Sequence, residues 1–159
     1  MAKYKLDETD HQILDMLIEN TRTPFTDIAK KLNISAGTVH VRVKKMEESQ
    51  IILGSTLTLN YDKLGYAFIA YVGIFLKNTS QTKFVLERIK DIPFVTVAHV
   101  TTGKFNVFCK IRARNTQHAK EIIFQLDDIE GVYRTETMIS LEESLNDKKR
   151  LMHSIFKDS

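Results

Sequence analysis

Apolar positions in the first third of the chain recur at helical spacing, and after Gln50 the period changes to two. Residues 8–20 place Ile13, Leu14, Leu17 and Ile18 on one stripe behind an acidic first turn, which predicts an amphipathic helix begun by Asp7. A second, short helix carries Phe25, Ile28, Ala29 and Leu32 inward, with Thr23 expected as its cap and Pro24 at its first position. Asn33 tolerates the left-handed backbone of a sharp turn. Ser35 then caps a third helix over 36–49, with Val39, Val43 and Met46 on its inner stripe. The alternation in 55–59 predicts a strand, which beside a helix-turn-helix would be a wing.

The polar stretch 61–66 reads as a linker, giving domains 1–60 and 67–141 and a tail, 142–159. The second half has the order β-α-β-β-α-β. Strands are expected over 67–77, 94–102, 105–112 and 132–141, and helices over 81–91 and 116–129. Strand 105–112 alternates Phe105, Val107, Cys109 and Ile111 against Asn106, Phe108, Lys110 and Arg112. Two β-α-β units in succession give a ferredoxin-like sandwich, so the fold class is α+β: a winged helix-turn-helix followed by that sandwich. The tail mixes charge with Leu145, Leu151, Ile155 and Phe156, a pattern open to packing on a partner or to fraying.

Of the 159 residues, 43% are apolar, enough for a packed core. No apolar run reaches the ~20 residues of a membrane helix, and the first residues lack the apolar region of a secretory signal. With Cys109 as the single cysteine, a disulfide framework is excluded and a cytoplasmic setting is expected. The five histidines have no metal-ligand spacing, and phosphate-binding glycine loops and nucleophile elbows are missing, so neither metal, cofactor nor enzyme activity is expected.

Net charge is only +3, but its distribution is uneven. Between 30 and 46 stand Lys30, Lys31, Arg42, Lys44 and Lys45 with no acid, an edge suited to phosphates. The same stretch has the spacing of a helix-turn-helix: small Ala29 where two helices nearly touch, Asn33 at the turn, Val39 locking the next helix. The exposed face of helix three would then show Gly37, Thr38, His40, Val41, Lys44 and Lys45, with Arg42 at its flank. Ser35 and Thr38 can donate to phosphates or bases, and His40, Arg42 and Lys45 are long enough to reach base edges or backbone. A helical hairpin used for protein contacts is the alternative. The coincidence of spacing and acid-free charge favours double-stranded DNA.

The turn Thr101-Thr102-Gly103-Lys104-Phe105-Asn106 offers backbone N–H groups suited to a carboxylate, with glycine permitting positive φ. Thr135 and Thr137 add polar groups on the last strand, and Asp127 or Asp128 could receive an ammonium. From the residues alone an ordinary hairpin is the simpler reading.

Taken together, the chain resembles the leucine-responsive/AsnC (feast/famine) family of regulators over residues 6–141. The motifs that carry this are LDETDHQILDMLIENTRTPFTDIAKKLNISAGTVHVRVKKMEESQII and TTGKFNVF…RTETMIS, and the S-x-G-T-x-H-V-R-V helix and T-T-G turn are similar to the AsnC branch. The resemblance implies a DNA-binding transcription regulator whose C-terminal sandwich binds an amino acid, dimerises and commonly assembles to an octamer. By position it places the effector at His99, Val100, Thr101, Thr102, Gly103, Lys104 and Asn106, with Thr135, Thr137 and Asp127. His99 and Val100 stand where the AsnC branch has aromatic residues, and Asp127 near an amide, so the resemblance does not name the amino acid. Sirohaem decarboxylases share the fold, and His99 could mimic a catalytic histidine there, but no Tyr-Arg cluster accompanies it. A stand-alone amino-acid sensor is the remaining alternative, and it has no reason to keep Arg42, Lys44 and Lys45 free of acids.

Overall fold

The computed structural model describes residues 4–147 and 149–157. The chain divides into two compact units, one formed by 1–58 with 145–159 and the other by 59–144. The expected linker residues 61–66 therefore lie in the second unit, and the tail is shared between the two.

The first unit contains α1 (Glu8–Glu19), α2 (Phe25–Leu32), α3 (Ala36–Glu48) and, from the far end of the chain, α6 (Lys149–Lys157). Its core joins Ile13 and Leu14 of α1, Ile28 and Ala29 of α2, and Val39, Val43 and Met46 of α3. These are the residues that the 3.6-residue period places on inner faces. The tail resolves into α6, which packs beside α1 and brings Met152 against the core. Asp7 caps α1 in a reciprocal box: its carboxylate accepts the Asp10 N–H, and the Asp10 carboxylate accepts the Asp7 N–H. Thr23 does not cap α2 as expected. Its hydroxyl donates to the Asn20 carbonyl, Pro24 occupies the cap position, and the helix starts one residue later.

The expected wing strand is absent, since residues 52–60 adopt neither helix nor strand. Alternation is necessary for a strand but not sufficient, because the backbone must also pair. None of the described strands pairs with this segment, and Leu53 and Leu57 project into solvent.

The second unit is a four-stranded antiparallel sheet in the order β2-β3-β1-β4, built from β1 (Phe68–Leu76), β2 (Val95–Val100), β3 (Val107–Ala113) and β4 (Val132–Ile139). Helices α4 (Thr82–Lys90) and α5 (Thr116–Asp127) cover one face. Ala70, Val72 and Ile74 of β1 meet Val107, Cys109 and Ile111 of β3 on that side, under Val85, Ile89, Ile122 and Leu126. Burial pushes the Cys109 thiol up to about 11, so it behaves as a small apolar residue.

The opposite face is aromatic. Tyr71 stacks on Phe108 at 5.8 Å, Phe108 on Phe105 at 5.8 Å, and Phe105 meets Phe75 edge-on at 5.2 Å. This reverses the expected side for Phe105, which alternation grouped with Val107. The ladder of β3 begins only at Val107, so Phe105 belongs to the turn and folds over the other face. Gly73 makes this possible, because a Cβ there would come within 2.3 Å of the Phe105 ring. Gly73→Ala is therefore expected to dislodge that ring and lower the stability of the second unit by about 1–3 kcal/mol. Urea unfolding followed by tyrosine fluorescence measures the loss.

Candidate DNA-binding face and effector turn

Helix α2 ends at Asn33, whose φ of 55° turns the chain, and the Ile34 N–H closes the turn on the Ala29 carbonyl at 3.0 Å. Ser35 starts α3 by accepting the Thr38 N–H at 3.0 Å, and the two hydroxyls lie 2.8 Å apart. With Val39, Val43 and Met46 buried, Gly37, Thr38, His40, Val41, Lys44 and Lys45 all face solvent. The His40 ring leans on Phe25 at 6.1 Å. Lys44 lies 3.9 Å from Glu48, an exposed pair of little energetic weight.

Arg42 departs from expectation. Its Nη1 donates to Asp7 at 2.8 and 2.9 Å and to Asp10 at 2.8 Å. Asp10 is 1% exposed and also accepts the Tyr4 hydroxyl at 3.0 Å. The side chain expected at the DNA-facing flank is also a clamp that holds α3 against the start of α1. Hydrogen bonds to Asp10 and Asp7 raise the Arg42 pKa still further, so the guanidinium stays charged at every relevant pH. The Asp10 N–H and then Arg42 hold the Asp7 carboxyl below its usual value of 3.8. Burial, then Asp10, raises that of Tyr4. Sequence inspection missed this cluster because Asp10 and Arg42 are far apart in the chain. The signal was a charged residue, Asp10, on the same side of α1 as Ile13 and Leu14.

His99–Asn106 and Asp127 lie at the end of the sheet where β1 and α5 finish and β3 and β4 begin, whereas Thr137 lies farther along β4, opposite Val72. The turn is bonded internally: Thr101 donates its hydroxyl to the Phe105 carbonyl and its N–H to the Asn106 carbonyl. The Asn106 side chain is committed to the fold, since its amide oxygen accepts the Leu76 N–H at 2.9 Å and its own N–H bonds the Ile74 carbonyl. Thr102 and Gly103 are exposed and open. Gly103 does not use the positive φ expected of it, and a Cβ there would touch nothing. Lys104 turns back over the Phe75 and Phe105 rings and pairs with Glu136 at 2.6 Å. Glu136 also holds Arg134 at 3.0 Å, two residues away on the same face of β4.

The remaining candidates divide between faces. His99 pairs in register with Phe108 on the aromatic side, whereas Val100 pairs with Val107 on the helical side. Thr135 and Thr137, opposite Ile74 and Val72, also face the helical side. Thr137 borders a shallow groove of about 210 Å³ with Phe68, Ile123 and Phe124. Asp127 is exposed at the last residue of α5. One copy of the chain thus offers a rim of candidate groups without enclosing them. Among the described residues no cluster of three metal-ligating side chains occurs, and no helix is long and apolar enough to cross a membrane.

Removing the clamp has a defined cost. Arg42→Ala leaves Asp10 buried without its counter-charge and is expected to destabilise the first unit by about 3 kcal/mol. Asp10→Ala removes the other partner, and the double variant loses less than the sum. Thermal unfolding of the three variants measures the coupling. Asp7 is depressed in the folded state, so its contribution is present above about pH 4 and is lost as pH falls through its folded pKa. The melting temperature should therefore drop on acidification below that point, less steeply in Asp7→Asn.

Comparison with known proteins agrees with this architecture. Residues 6–47 match the AsnC-type helix-turn-helix domain, and residues 69–149 match the Lrp/AsnC ligand binding domain. The chain is 32% identical to the regulatory protein AsnC of Escherichia coli, over 91% of its own length and 96% of that protein's. An uncharacterized helix-turn-helix regulator of Pyrococcus furiosus is 34% identical over 87% of this chain and 93% of its own. The solved structure of E. coli AsnC superposes with a TM-score of 0.87 at 31% identity, covering 91% of this chain and 97% of that one. A feast or famine regulatory protein of Mycobacterium tuberculosis, complexed with L-methionine, shares the fold at 21% identity and a TM-score of 0.83, covering 91% and 97%. The chain therefore belongs to the Lrp/AsnC family of DNA-binding transcriptional regulators.

Proposed function

We propose that the chain binds double-stranded DNA through α3, with Ser35, Gly37, Thr38, His40, Lys44 and Lys45 at the interface and Arg42 acting from behind as the clamp. The observation that carries this is the exposed outer side of α3, which keeps Lys45 in solvent and opens with the N-terminal turn capped by Ser35. That turn enters a major groove in helix-turn-helix proteins, and a dimer presents two such helices roughly 34 Å apart or at a multiple of that spacing. As a regulator of DNA, the protein works in the cytoplasm and has no catalytic role of its own. The alternative enzymatic and stand-alone sensor readings have no specific feature in their favour: His99 stands exposed on the sheet, and the lysines of α3 remain available.

The effector reading is a small amino acid at His99–Lys104, with Asn106 shaping the turn and Thr135, Thr137 and Asp127 at the rim. The L-methionine held by the M. tuberculosis neighbour supports that ligand class. In this reading the open rim of a single copy is completed by neighbouring copies in a dimer and, beyond it, an octamer. An amino acid that binds one assembly better than another would then change DNA affinity.

Lys45→Ala is expected to weaken DNA binding without lowering the melting temperature, and wild-type affinity should fall as salt rises. Gel shifts at several salt concentrations check both, and unchanged shifts contradict the reading. For the effector, a thermal-shift screen of the twenty amino acids should yield at least one that raises the melting temperature. Because a Cβ at 103 would meet nothing within 4 Å in this chain, Gly103→Val should fold normally, keep DNA binding and lose that ligand shift. Normal ligand stabilisation in this variant would remove the turn from the site.

A further inference from the structure

Val41 stands half-exposed in the middle of α3, on the side away from the core stripe of Val39, Val43 and Met46. A β-branched side chain at such a place loses rotamer freedom in the helix and gains no burial. One exposed valine needs no explanation, but its neighbour on the same row makes a pattern. Gly37, one turn earlier, is the most exposed kind of backbone a helix can present, and nothing in the chain requires it. Its φ lies outside the left-handed region, and a Cβ would meet only the Ser35 Oγ, at a comfortable 3.7 Å. Helical glycine is less favourable than alanine. Two successive positions on one row thus give up helix stability for a surface that is smooth and without charge.

The same row continues to Lys45, and all three border one open groove on the outer side of α3. Its other wall carries Tyr4, Lys5, Asp7 and Asp10, and most of the hydrogen-bonding groups beside Val41 are engaged with one another, Tyr4 with Asp10 among them. Arg42 is bound to Asp7 and Asp10, and the Thr38 hydroxyl is shared with the Ser35 cap. What Val41 can still do at a base edge is make apolar contact. In the major groove the partner for that contact is the C5 methyl of thymine.

We infer that Val41 is a specificity-determining residue that reads a thymine methyl, and that Gly37 lets α3 lie close enough to the groove for it to do so. The inference rests on the DNA-binding reading of α3. Lys45 at the far end of the row anchors the backbone, while Val41 supplies discrimination that salt does not weaken.

The test selects binding sites for the full chain from a randomised duplex library, with wild type and Val41→Ala in parallel. The wild type should enrich a motif containing a thymine whose preference Val41→Ala loses while the other positions persist. Replacing that thymine by deoxyuridine removes only the methyl. This should weaken wild-type binding about fourfold, the value of one buried methyl, and weaken Val41→Ala by less, since alanine keeps only its Cβ methyl. Gly37→Ala should raise the melting temperature by roughly 2–4 °C while weakening DNA binding.

A selected motif and a deoxyuridine penalty that are the same in wild type and Val41→Ala overturn the assignment while leaving DNA binding intact. A wild type insensitive to deoxyuridine at every selected thymine does the same. A Gly37→Ala variant that binds as well as wild type overturns the close approach. A wild-type chain that enriches no sequence defeats the DNA reading itself, and this inference with it.

Discussion

The position of α3 depends on a carboxylate taken out of water. Asp10, 1% exposed, is held by the Arg42 guanidinium, the Tyr4 hydroxyl and the Asp7 N–H. A buried charge is tolerated only when such partners surround it, and it then fixes orientation more than it adds stability. The apolar contacts of Val39, Val43 and Met46 would allow α3 to rotate or slide a little, since methyl groups pack without direction. The ion pair does not. It ties the middle of α3 to the first turn of α1 at hydrogen-bond distance, and so sets which side chains of α3 remain outside.

Much of this was legible in the sequence because the period of apolar residues maps directly onto burial. All seven residues of the first core follow from the 3.6-residue repeat, and the order of strands and helices in the second unit follows from the switch to a period of two. Illegible parts were those that depend on pairing across the chain. Residues 55–59 alternate like a strand, but alternation describes side chains, and a strand exists through its backbone partners. Phe105 alternates with β3, yet the ladder begins after it, and the space over Gly73 draws its ring to the other face. Arg42 had the right length and charge for DNA. What it lacked was freedom, and that is visible only once Asp7 and Asp10 are brought beside it.

The candidate effector site shows the same division. The turn and its exposed glycine were legible, because glycine and threonine between two strands mark a hairpin. The roles of the individual side chains were not. Asn106, an apparent ligand group, bonds the backbone of β1, and Lys104 spends its charge on Glu136 and on the faces of two aromatic rings. These commitments hold the turn in shape, and they leave Thr102 and Gly103 as the open stretch. A turn that is stiff at its base and bare at its tip fits a site that another surface completes, since neither the tip nor the rim is used by the fold.

A chain with a net charge of only +3 cannot rely on a broad basic surface to find its place on DNA. Of the five cations between 30 and 46, the clamp engages Arg42, and the other four are lysines. Lysine binds phosphate as a point charge and carries little sequence information. Discrimination then has to come from the uncharged groups at the start and middle of α3, or from the shape of the DNA itself. The clamp thereby links stability to the surface that α3 presents: it engages the one arginine of the helix, fixes the helix, and leaves Gly37, Val41 and Lys45 exposed beside it.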